Sequence, residues 1–210
     1  MVSGRARLPP LVCGRPCYFH LLLAAVCLLG AQVGVKSETS QSKLYWANFA
    51  ENKIQRASLL DGSDVEDIVV HGISSPWGIA VHEPSCSLFW SDTGTGSIRR
   101  ANLDGSGAVE FLNFGDEAFP MALHTASSLD SIFWVQQDSS VGRLSFSGSA
   151  ADVEILQHGA YEGRTSVVVD AASESIFWSD TDWWRIQKAS LIAGSPVVAE
   201  DWISEMIDIG

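Results

Sequence analysis

Trp46, Trp90, Trp134 and Trp178 stand at a constant interval of 44 residues. Each closes a similar apolar tripeptide: Leu44-Tyr45-Trp46, Leu88-Phe89-Trp90, Ile132-Phe133-Trp134 and Ile176-Phe177-Trp178. A rare residue on a fixed ruler means that one structural unit is repeated. A period in the forties with an aromatic strand in each unit predicts an all-β chain of β-propeller blades.

Aligned on their tryptophans, the units near 44–87, 88–131, 132–175 and 176–210 share an internal order. After the aromatic strand and a polar turn comes a half-buried alternation: Ile54-Gln55-Arg56-Ala57, Ile98-Arg99-Arg100-Ala101, Val141-Gly142-Arg143-Leu144 and Ile186-Gln187-Lys188-Ala189. Asp61-Gly62, Asp104-Gly105 and Ser147-Gly148 supply turns. A third strand follows at Ile68–Val70, Val109–Leu112, Val153–Leu156 and Val197–Ala199. A more apolar fourth, such as Gly78–Val81 or Ser166–Val169, precedes the next unit's aromatic strand. Four antiparallel strands per blade, apolar on both faces, are stable only when stacked on their neighbours. The tryptophans are therefore expected in the packing, with a partner for each indole N–H.

These motifs resemble the low-density-lipoprotein-receptor class B repeat, the YWTD repeat. The residues that carry the resemblance are Phe89-Trp90-Ser91-Asp92, Ile98-Arg99-Arg100-Ala101, Leu103-Asp104-Gly105 and Pro76-Trp77-Gly78-Ile79-Ala80-Val81, within a stretch from 43 to about 210. The resemblance implies six-bladed propellers of secreted or cell-surface proteins that bind other proteins. It also implies that Asp92 and Asp180 cap strand ends as structural residues. The first and third units depart from the pattern, with Asn48 and Gln136 at the Asp position and Val135 in place of Ser or Thr. An amide can still accept a hydrogen bond there.

Six blades at this period need roughly 260 residues, more than the 210 present. About four blades are expected, as a partial or imperfectly closed propeller. The first unit, beginning at its aromatic strand, is expected to lack an innermost strand, and Met206–Ile209 falls where one could complete it. An open arc would expose apolar faces and strand edges, inviting self-association. A second copy could complete such an arc.

Residues 1–37 read as a signal peptide or signal anchor, and 38–210 as the repeats. Arg5, Arg7 and Arg15 precede an apolar run from Phe19 to Val35, the layout of a secretory signal. Cleavage is expected after Ala31 or Ser37; an uncleaved segment would tether the repeats outside the membrane. Cys13, Cys17 and Cys27 fall in this segment, leaving Cys86 as a half-buried inert thiol or an intermolecular bridge. No disulfide-rich module accompanies the repeats, which argues against a large endocytic receptor.

None of the 25 acidic residues lies in the first 37 positions, whereas four of the 13 basic ones do, leaving the repeats strongly acidic. That charge argues against nucleic acid and suits a basic ligand or weak calcium binding. No cofactor is implied. His71-Gly72 and His158-Gly159 read as turns, while His82 and His124, ending innermost strands where the fourth unit has Asp170, offer a remote metal site. No catalytic set stands out. Trp183-Trp184-Arg185 is the turn richest in binding-type residues, and Trp77 and Trp202 read as packing residues.

The expectation is a non-enzymatic, secreted or cell-surface module that recognises an extracellular protein. The alternatives are a propeller-based metal-dependent hydrolase or lyase of the secretory pathway, or a fragment of a larger receptor or matrix protein.

Overall fold

The strands form four four-stranded antiparallel sheets offset from the tryptophan-aligned units, because the last strand of each unit opens the next sheet. The computed structural model describes residues 33–36, 42–115, 119–138, 140–158, 164–181, 183–192 and 198–203. The first sheet comprises β1 (Val33–Lys36), β2 (Lys43–Asn48), β3 (Lys53–Ser58) and β4 (Glu66–Val69). The second comprises β5 (Pro76–His82), β6 (Ser87–Asp92), β7 (Ser97–Asn102) and β8 (Val109–Asn113). In the third are β9 (Pro120–Ala126), β10 (Ser131–Gln136), β11 (Val141–Ser145) and β12 (Glu154–Gln157). The fourth holds β13 (Arg164–Asp170), β14 (Ser175–Asp180), β15 (Arg185–Ser190) and β16 (Glu200–Ile203). Strands neighbour one another in chain order within every sheet. The architecture is a partial propeller of four blades.

Two sequence expectations are corrected. The first sheet does have an innermost strand: β1 pairs antiparallel with β2, Val33 opposite Trp46 and Lys36 opposite Lys43. It was hidden because Val33 and Val35 merge into the apolar run of the N-terminal segment. The outer strand of the fourth sheet is Glu200–Ile203; of the expected Val197–Ala199, Val197 lies outside the described residues, and Val198 and Ala199 lie just before the strand. A longer connection after β15 delays the strand until Ile203 can face Ile186 and Asp201 can face Gln187. The expected closing segment Met206–Ile209 lies outside the described residues, as does the N-terminal segment up to residue 32.

Period-two side-chain alternation gives every sheet two different faces. Tyr45, Ile54 and Val69 of the first sheet pack on Leu88, Trp90 and Ala101 of the second. Phe89, Ile98 and Leu112 of the second meet Ile132, Trp134 and Leu123 of the third. Phe133, Val141 and Leu156 of the third meet Ile176, Trp178 and Ala189 of the fourth. Three cores thus join four sheets in a row, always with a Tyr or Phe face against a Trp face. Hydrogen bonds cross the same seams: Arg56 Nη1 donates to the Leu103 carbonyl at 3.0 Å and Ser91 Oγ to that of Met121 at 2.7 Å.

The four indoles differ in what stands opposite them across the sheet. Trp46 faces Gln55 and Trp178 faces Gln187, and each indole N–H donates to that glutamine's Oε1 at 3.0 Å. Trp90 faces Arg99, which offers no acceptor, and Trp134 faces Gly142, which offers no side chain. Among the described residues, the buried N–H groups of Trp90 and Trp134 are left without a protein partner. Gly142 is itself constrained: a Cβ there would lie 2.5 Å from Trp134 Cζ2.

Thermal or denaturant unfolding of alanine variants should follow this burial. Trp90, Trp134 and Trp178 are fully buried and each substitution should cost about 3–5 kcal/mol. Trp46, only half-buried, should cost distinctly less. Gly142→Ala should cost about 1–3 kcal/mol through overpacking against Trp134.

Candidate functional site

Antiparallel order brings two kinds of connection to the same rim of the arc: the hairpins between second and third strands, and the links from each outer strand to the next innermost one. Hydrogen bonds show them meeting. Ser75 N–H donates to Asn52 Oδ1 at 2.6 Å, Gly94 N–H to the Ser74 carbonyl at 2.9 Å, and Phe114 N–H to that of Gly96 at 3.0 Å. Asp92, fully buried at the end of β6, takes the Ser74 N–H on both carboxylate oxygens at 3.1 and 2.9 Å. Burial pushes its pKa above the ordinary carboxylate value, against the pull of the Ser74 N–H and of nearby Arg99.

Aromatic side chains emerge at this rim. Phe49 and Phe119 are exposed, and Phe49 meets the half-buried Trp77 edge to face at a centroid distance of 5.6 Å. Trp183 and Trp184 are 59% and 65% exposed. The backbone of Trp184 is left-handed, with φ of 50°. The equivalent turn positions in the first two sheets carry Asn52 and Gly96, also at positive φ, and those residue types tolerate it. Here a large aromatic ring occupies a strained position and stays in solvent.

Arg185, the third member of the sequence-predicted trio, opens β15 and is tied down. Its Nε donates to Asp180 Oδ2 at 3.0 Å, and its Nη1 contacts both oxygens of Asp201 at 2.9 and 3.1 Å. Asp180 also takes the Trp183 N–H at 3.2 Å. Desolvation lowers the arginine's pKa, but Asp180 and Asp201 together hold it above its ordinary value. The guanidinium carbon lies 5.9 Å from the Trp183 ring centroid. The positive charge is thus largely neutralised, and it steadies the turn that displays the two indoles. Trp202, expected in packing, is 57% exposed and leans on Phe177 at 5.0 Å.

The candidate metal residues do not share a register. His82 faces Ser87 at the end of β5, the place that Ala126 and Asp170 take in the third and fourth sheets. His124 faces Phe133, two residues earlier in its strand, equivalent to Ala80 and Val168. His82 is buried, stacks on Phe146 at 3.7 Å and has Nδ1 2.7 Å from Ser85 Oγ. Burial lowers the pKa of both rings, opposed at His82 by Asp130. Among the described residues no three His, Cys, Asp or Glu side chains gather where they could hold a metal ion. Cys86 is half-buried in a turn at the opposite rim, beside the core between the first two sheets.

No protein-family model matches the chain, and no curated protein matches it. Solved structures share its fold. A chain of a nidogen–laminin complex superposes with a TM-score of 0.69 at 21% identity, over 82% of this chain and 65% of that one. A gluconolactonase from Xanthomonas campestris gives 0.63 at 16% identity, over 81% and 65%. A hydrazine synthase from Kuenenia stuttgartiensis gives 0.61 at 12% identity, over 89% and 53%. The chain thus spans just under two thirds of the length of the first two, and identities this low establish the propeller fold alone. Among the described residues no helix is long and apolar enough to cross a membrane.

If Trp184 is held in place against its backbone preference, Trp184→Asn should raise stability by about 1 kcal/mol in equilibrium unfolding. The same change at Trp202, an exposed indole within the extended strand β16, should bring no such gain.

Proposed function

We propose that this chain is a secreted or cell-surface protein-interaction module of the YWTD type that grips an extracellular protein at the aromatic rim. The observation that carries this reading is Trp184: an exposed indole at a left-handed turn position filled by Asn and Gly in sister blades. Tryptophan concentrates binding energy at protein interfaces, and a strained residue displayed to solvent points to a use outside folding. Fold likeness to a chain of a nidogen–laminin complex supports a protein partner. The acidic repeats favour a basic patch on that partner.

We also place signal cleavage after Ala31. Cleavage after Ser37 would remove β1, the strand that pairs with β2 in the first blade. Sequencing the N-terminus of secreted protein should find Gln32 first; a start at Glu38 would contradict this placement.

The hydrolase alternative is supported by the fold shared with the gluconolactonase. It predicts that chelating divalent metal destroys lactone hydrolysis, whereas the binding reading predicts no such activity to lose.

A photo-crosslinking amino acid at position 184 tests the rim directly. Secreted protein carrying it, applied to intact cells, should capture one extracellular protein. The same probe at Leu60, 93% exposed in a turn of the opposite rim, should capture none. Capture from position 60 alone, or from neither position, contradicts the assignment.

A further inference from the structure

The two ends of the array carry unmatched halves of the seam that the molecule makes three times within itself. The first sheet turns its Tyr45 face to the second sheet, and among the described residues no sheet covers its Trp46 face. There Trp46 and Leu44 are only half-buried, whereas their equivalents Trp90, Trp134, Trp178, Leu88, Ile132 and Ile176 are at most 1% exposed. The fourth sheet turns its Trp178 face to the third, and among the described residues no sheet covers its Phe177 face. Phe177 and Ile186 are half-buried there, while Phe89, Phe133, Ile54, Ile98 and Val141 in the same repeat positions are at most 2% exposed. Val168 and Ile203 are 49% and 40% exposed, yet their equivalents Ala80, Val69 and Leu112 are buried.

We propose that the Phe177 face of one copy packs against the Trp46 face of a second copy, head to tail, in the geometry of the internal seams. The occupant is argued from the molecule's own pattern. A Tyr or Phe face meets a Trp face at every internal seam, and among the described residues one face of each kind is left uncovered. Polar complementarity follows the same register. Arg56 crosses the first seam to the Leu103 carbonyl. Lys188 holds Arg56's repeat position on the fourth sheet, 5.8 Å from the Phe177 ring, and Leu59 holds that of Leu103. Lys188 of one copy therefore reaches toward the Leu59 carbonyl of the next, beside the turn that contains Asp61. Because the two faces differ, the contact is heterologous, giving a closed ring where the rotation permits and an open chain otherwise. It involves none of the Trp183 and Trp184 contacts assigned to an external ligand, so either reading can fail alone.

Complementation of variants provides the test, read as mass by light scattering or sedimentation over a micromolar concentration series of the secreted chain. The wild type should assemble. Trp46→Glu alone and Phe177→Glu alone should each remain monomeric, since every contact in either sample lacks one half. An equimolar mixture should form a one-to-one dimer through the one intact pair of faces. Lys188→Glu leaves the apolar core untouched. It should weaken assembly at least tenfold and can replace Phe177→Glu in the mixture should that variant not fold. A monomeric wild type, assembly by either single variant, or a mixture that stays monomeric overturns the proposal; the first of these would mean that the faces are covered within a single chain.

Discussion

Everything in this fold depends on the insertion of one sheet's tryptophan face against the Tyr or Phe face of the sheet before it. A four-stranded sheet with apolar side chains on both sides has no stable existence in water, and each blade removes its neighbour's exposed surface. The three buried tryptophans lie on that seam, and burial of such side chains is worth several kcal/mol each. The fixed 44-residue spacing is the imprint of this demand on the chain, because each seam needs the same contacts at the same place.

Some of the architecture was plain from residues alone. The tryptophan spacing, the Ile-x-x-Ala alternation and the Asp-Gly turns gave the sheets and their order, because these signals are local and recur along the chain. The rest of the architecture is nonlocal or ambiguous in the sequence. β1 is too short and too apolar to stand apart from the segment before it, and only its ladder with β2 reveals it. β16 drifted because the connection before it is longer than in sister blades. The buried indoles left without a protein partner among the described residues, Trp90 and Trp134, follow from cross-strand neighbours, Arg99 and Gly142, whose pairing is visible only once register is known.

The candidate site shows the same division. Trp183, Trp184 and Arg185 stand out by composition, and the structure displays the two indoles while tying Arg185 to Asp180 and Asp201. Nothing in the sequence alone announces that Trp184 is left-handed, although alignment with Asn52 and Gly96 at the same turn position holds the signal. His82 and His124 looked equivalent because both sit near strand ends. A two-residue offset in register separates them, and in a strand that offset changes the position along the ladder while keeping the face.

Hydrogen exchange on the chain at a dilution where it is monomeric tests the stacking account most directly. Amides of the second and third sheets, covered on both faces, should exchange slowest, with β6 and β10 the most protected and the first and fourth sheets opening earlier. Uniform protection across the four sheets, or slower exchange in the first and fourth than in the middle pair, would contradict it.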